Sequence, residues 1–307
     1  MSSSMMNLIT TGAVVAARDV RVPNQLAPMS MPPIKPGCRN FNITLKVPDG
    51  DVETVDKFIA DHQAFMRETH KGPAEPFCLM YAVTKTAELK DSNDPSQGTT
   101  GSMLYAITET YQALEGCQAH MAAGQGYGKK EGEPHGVLFG TFLDLVGKYA
   151  TSTVMMAEVV HTMADPLLGA MAEVKPGCHA FNISMKVPEG EAAAVDAFLS
   201  SHKTFMDETH PVSGDKEPMV LFYTTTKTAE LKDSNDPSQG TTGSTLYAIT
   251  EIYRGLDGCQ AHMAAGQGYG KKEGEPYGAL FSTFLDLVGK YATATVMMAP
   301  VVAAMHD

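Results

Sequence analysis

Two histidines, His120 and His262, end the same phrase, "LEGCQAH" in one place and "LDGCQAH" in the other, each followed by "MAAGQGYGKK". An imidazole titrates near neutral pH, so either could take a proton from a phenol or an activated carbon. Both fall on the apolar face of a predicted helix, where a packed imidazole with one hydrogen bond is the competing reading. A few residues upstream, Glu109 and Glu251 alternate with Tyr105, Ile107 and Tyr111 or with Tyr247, Ile249 and Tyr253. The period of two puts each set on one strand face. A carboxylate among aromatics can have a raised pKa and a function, or it can sit at a strand end and pair with a solvent lysine. The four tyrosines are candidate substrate contacts, or core and interface residues. His62 and His202 lie within a helical apolar stripe and could face the same cavity. Asn42 and Asn182 alternate with apolar neighbours; they could hold a developing oxyanion if their face lines a cavity, or bond across an interface if it does not.

Other chemistries lack their motifs. The glycines of "GQGYGKKEGEP" follow a predicted helix and not a strand, which removes the context of a phosphate cradle. "KDSNDPSQG" departs from the spacing of a helix-loop-helix calcium site and lacks its closing glutamate. There is no nucleophile elbow, no His-x-His and no HExxH. A metal centre built from His62, His120 and Glu109 across elements is conceivable, but the expectation from sequence is no metal and no cofactor.

These residues are positioned by a unit that occurs twice. "KPGC" at 35–38 returns at 175–178, "FNI" at 41–43 returns at 181–183, and "ETH" at 68–70 returns at 208–210. Between 85–130 and 227–272 only five positions differ: Met103/Thr245, Thr110/Ile252, Gln112/Arg254, Ala113/Gly255 and Glu115/Asp257. The opening of each unit has diverged further. The division is an extension at 1–34, disordered or targeting, a first domain at 35–160, a linker at 161–174, a second domain at 175–302 and a tail at 303–307. Within the first unit, "FNITLKV" alternates as a strand and ends at the turn "PDG". Val52, Val55, Phe58, Ile59, His62, Phe65 and Met66 then recur at helical spacing. Strands are predicted over 77–86 and 102–111 around a turn-rich loop, then helices over 113–123 and 136–149 and a last strand over 152–160. The order β-α-β-β-α-(α)-β is the ferredoxin-like arrangement, an α+β fold with helices on one sheet face. The bare face needs a cover, and the second copy can supply it.

Composition sets outer limits. The 307 residues suffice for two ordinary domains, and 23 basic against 35 acidic residues give a formal charge of -12. That balance, with no basic patch beyond "GKK", argues against nucleic acid and anionic membrane as partners. No apolar run reaches the roughly 20 residues needed to span a bilayer. Five cysteines without a CxxC read as reduced thiols, consistent with a cytoplasmic protein unless the extension directs it to an organelle.

Glu109, Tyr111 and the pair Ala119-His120, with Glu251, Tyr253 and Ala261-His262, resemble the antibiotic biosynthesis monooxygenase type domain of the dimeric α/β barrel superfamily. In that family a strand ending in an acidic residue and an aromatic leads into a helix bearing a small residue and a histidine. The resemblance implies two tandem ferredoxin-like units pairing into one intramolecular barrel of the kind usually made by two chains, with further homo-oligomerisation open. It implies small apolar or aromatic ligands held between sheet and helices, and in some members cofactor-independent monooxygenation. Asn42 and Asn182 match the first-strand asparagine of catalytic members. The haem-degrading branch relies on a tryptophan, and this chain has none. The expectation is a cofactor-independent monooxygenase with a histidine base and Asn and Tyr contacts; the alternative is a non-catalytic ligand-binding or structural barrel.

Overall fold

In the computed structural model, residues 32–70, 74–90, 95–163, 173–232 and 237–305 are described. Most of the N-terminal extension, the middle of the linker, four residues in each turn-rich loop and the last two residues lie outside them. The strands are β1 (Arg39–Pro48), β2 (Cys78–Leu89), β3 (Thr99–Tyr111) and β4 (Ala150–Thr162), then β5 (His179–Val187), β6 (Val220–Leu231), β7 (Thr241–Tyr253) and β8 (Ala292–Ala304). Among the described residues the α-helices are α1 (Val52–Thr69), α2 (Leu114–Gly126) and α3 (Val137–Tyr149), with counterparts α4 (Ala192–Thr209), α5 (Leu256–Gly268) and α6 (Ala279–Tyr291). The predicted elements thus appear in order, with small shifts at their ends. Two domain limits move: β4 runs to Thr162, inside the expected linker, and β8 to Ala304, inside the expected tail. Ile34, assigned to the extension, is buried in the core.

The chain is α+β, and its eight strands close one antiparallel barrel in the order β1-β3-β2-β8-β5-β7-β6-β4. Each repeat contributes four adjacent strands, β4-β1-β3-β2 and β8-β5-β7-β6. The seams are β2 against β8, where Ala82 faces Ala304, and β4 against β6, where Glu158 faces Lys227. Every strand therefore has two neighbours and no ladder edge is left open.

Alternation in the strands sorts two environments. On β1, Phe41, Ile43, Leu45 and Val47 point outward and pack under α1, α2 and α3. Asn40, Asn42 and Thr44 are equally buried but lie on the other face, which the closure of the barrel turns into its interior. Small side chains such as Ala106, Val154, Ala157, Ala248, Val296 and Ala299 share that interior.

Beside the site, β4 departs from regular alternation. Asn40 pairs with Ala157 but Asn42 with Val154, so β4 carries an extra residue there. Met156 absorbs it with a φ of 53°, a left-handed conformation seldom adopted by a side-chain-bearing residue. Consecutive residues Met155 and Met156 both pack against the outer core, while Val154 and Ala157 cluster with Ala248. Met298 repeats the bulge in β8 with a φ of 50°. At the start of α3, a Cβ on Gly136 would stand 1.8 Å from the Tyr127 carbonyl oxygen, so only glycine lets this helix close over the sheet.

Candidate active site

Glu109 lies on the outer face near the end of β3, with Phe41 opposite it on β1 and Tyr81 opposite it on β2. Its carboxylate is buried, and three groups converge on it. Tyr111, two residues along the same strand, donates its hydroxyl to Oε2 at 2.7 Å. His62 from α1 brings Nε2 to 3.5 Å from Oε1, and His120 from α2 brings Nε2 to 3.5 Å from Oε2. Among the described residues, every ion-pair contact of Glu109 is to an imidazole. Burial pushes the Glu109 carboxyl up, opposed by His62 and by the Tyr111 hydrogen bond. Burial also pushes the His62 and His120 imidazoles down to about 4, so both are neutral at pH 7.

A relay behind His120 fixes which nitrogen carries its proton. Thr69 donates its hydroxyl to the Phe65 carbonyl at 2.7 Å. Having spent its only hydrogen, Thr69 must accept from Nδ1–H of His70, 2.8 Å away. The neutral His70 ring, whose pKa burial lowers to about 3, is then bare at Nε2. That nitrogen accepts from Nδ1–H of His120 at 3.1 Å. The consequence is that His120 Nε2 carries no proton and aims an unshared electron pair at the carboxylate. The second half repeats the relay: Thr209 bonds Phe205 at 2.6 Å and His210 at 2.7 Å, and His210 bonds His262 at 2.9 Å. His202 and His262 stand 3.4 and 3.5 Å from Glu251, which accepts from Tyr253 at 2.6 Å.

Above this cluster lies a cavity between sheet and helices. Its empty space, open mouth included, is about 520 Å³. Glu109, His62 and His120 supply its polar wall; Phe41, Ile43, Ile107 and Met155 from the sheet and Phe58, Phe65, Met121, Gly124, Leu138, Phe139 and Phe142 from the helices supply the rest. The cavity of the second half, about 490 Å³, is lined by the same residue types at every corresponding position. The match extends into α1 and α4, which otherwise differ widely: Phe58, His62, Phe65, Thr69 and His70 return as Phe198, His202, Phe205, Thr209 and His210. The differences fall mainly on the solvent side.

The structure thus brings together Glu109, His62 and His120, and Glu251, His202 and His262. Tyr111 and Tyr253 hold the carboxylates from behind and do not line the cavities. Tyr105 and Tyr247, expected as substrate contacts, turn their hydroxyls to Asp56 and Asp196, at 2.8 and 2.9 Å. Asn42 and Asn182, expected at the site, lie on the other face of the sheet, inside the barrel. Asn42 Nδ2 donates to Asn182 Oδ1 at 3.3 Å and to Thr250 at 3.0 Å, Ser184 donates to Asn42 Oδ1 at 3.3 Å, and Asn182 Nδ2 donates to Thr84 at 3.3 Å. A whole sheet separates them from the cavities. Sequence reasoning passed over His70, His210 and the tyrosines Tyr81 and Tyr223, whose hydroxyls meet Nδ1 of His62 and His202 at 3.3 and 3.2 Å. The signal for His70 was its return in "ETH" within a stretch that had otherwise diverged.

No family model matches the chain, and no curated protein does. Two solved structures, each named "putative monooxygenase", align over most of it. One, from Lactobacillus acidophilus, is 12% identical, with 88% of this chain and 97% of that one covered at a TM-score of 0.38. The other, from Fusobacterium nucleatum, is 9% identical, with 88% and 95% covered at a TM-score of 0.43. No helix among the described residues is long and apolar enough to cross a membrane.

Proposed function

We propose that the chain is a tandem of two ferredoxin-like units, each carrying a monooxygenase-type site that oxidises a small apolar or aromatic molecule with molecular oxygen and no organic cofactor. The observation that carries this reading is the unprotonated Nε2 of His120, fixed by the relay and set beside Glu109 in the polar wall of an otherwise apolar cavity. A base needs a free electron pair within reach of the proton it removes, and here the tautomer is set before substrate arrives. Proton abstraction from an activated CH₂ flanked by aromatic rings would leave a carbanion, which can pass one electron to oxygen. Recombination gives a peroxide that loses water, so that R₂CH₂ + O₂ becomes R₂C=O + H₂O, with the imidazolium returning its proton to the departing oxygen. Glu109 would stabilise that imidazolium, and the tight apolar walls exclude bulk water from the carbanion.

Oxygen uptake with an anthrone or a hydroquinone tests the proposal. Uptake that disappears in His120→Ala plus His262→Ala supports the base. Uptake that persists in that variant removes it, and saturable binding without uptake across such compounds would make this a ligand-binding barrel.

A further inference from the structure

We infer that each Glu-His-His cluster is a divalent transition-metal site, with His62, Glu109 and His120 as ligands in the first half and His202, Glu251 and His262 in the second. This does not depend on the oxygenation reading and competes with its base role, since both use Nε2 of His120. The ligand atoms of each set all lie within 4.8 Å of one another. His62 and His120 stand 3.5 Å from Oε1 and Oε2 of Glu109, and His202 and His262 stand 3.4 and 3.5 Å from Oε1 and Oε2 of Glu251, spacings that one ion roughly 2.1 Å from each donor can bridge. Two neutral imidazoles and one carboxylate are a donor set for zinc or iron(II), leaving positions open to a small molecule.

The direction of the hydrogen bonds points the same way. With Nδ1–H committed to His70, His120 turns the unshared pair of Nε2 towards Glu109 Oε2, 3.5 Å away. A cation between them would be held by both atoms. The relay is also the kind of support that metal-bound histidines receive, the second ring nitrogen donating to a fixed acceptor. All of this occurs twice.

The ion would occupy the electron pair that the base role uses, so chelation separates the two ideas. Full-length protein stripped with a chelator is titrated with zinc by calorimetry, and metal content is measured after dialysis; cobalt(II), whose absorption reports coordination, serves as a second probe. Two ions per chain are expected, one in Glu109→Gln or Glu251→Gln alone, and none in the double variant. The single variants keep an intact second site, which verifies that the barrel has folded. Absence of zinc and cobalt binding by the folded protein overturns the inference, as does a stoichiometry that survives both substitutions. Oxygen uptake that persists in stripped protein leaves the base reading standing whatever the titration gives.

Discussion

His70 Nε2 stands 3.1 Å from His120 Nδ1, and that contact decides which face of the His120 ring is basic. Neither residue of the relay behind it, His70 or Thr69, lines the cavity. Replacing His70 and His210 by alanine frees the His120 and His262 rings to take the other tautomer. The expected result is a fall of about ten- to a hundredfold in activity or metal affinity, the usual effect of losing such a partner. Thr69→Ser with Thr209→Ser keeps the hydroxyl and preserves function, whereas Thr→Val at both positions weakens it. Turnover and zinc affinity of the four proteins check this.

The buried imidazoles predict an acid limb in stability. In the first half, burial lowers His62 and His120 to about 4 and His70 to about 3; in the second, it lowers His202 to about 4 and His210 and His262 to about 3. The unfolded chain, with histidines near 6.5, binds more protons than the folded one across that window. Stability is therefore full above about pH 6.5 and falls as pH drops towards 4, by at most about 1.4 kcal/mol per pH unit for each imidazole. Glu109 and Glu251, raised in the fold, have the opposite sign and soften the fall. Denaturant midpoints of chelator-treated protein from pH 8 to pH 4 measure the slope, which His70→Gln with His210→Gln makes shallower.

Asn42 and Asn182 are expected to matter for stability and not for chemistry. Asn42→Ala removes bonds to Asn182, Thr108, Thr250 and Ser184 inside the barrel. Unpaired buried polar groups cost about 1–3 kcal/mol, read as a shift of the unfolding midpoint. The rate per folded molecule should stay at its original value. A lost rate with unchanged stability would return the asparagine to the site.

Phe142 and Phe284 cover the two cavities and are only half-buried. Substitution of both by alanine opens room beside the Glu-His-His wall at a cost of about 1–2 kcal/mol each, less than for a fully buried ring. Larger aromatic ligands should then bind more tightly relative to single-ring ones. A series of phenols of increasing size, titrated against both proteins, reports the change.

Much of this was legible in the sequence because the local patterns agree with the fold. The stripe from Val55 to Met66 is buried as its spacing implies, and the face shared by Tyr105, Ile107, Glu109 and Tyr111 turns towards the helices. What periodicity could not give was the identity of the two strand faces. Asn42 and Phe41 alternate either way, and only closure of the barrel by β2 against β8 and β4 against β6 makes the asparagine face an interior. The Met155–Met156 bulge hid for a related reason, since "VMMA" reads as a regular strand until its neighbour's register is known. The three-residue cluster comes from α1, β3 and α2, so no short motif marks it, and His70 becomes visible only beside His120.

The two seams have a kinetic and a thermodynamic meaning. A barrel assembled from separate chains must find its partner, and its folded fraction depends on concentration. Here the partner strands are tethered, so closure is a first-order event at a fixed effective concentration. Dilution therefore leaves both cavities intact, and unfolding midpoints should be the same in nanomolar and micromolar protein.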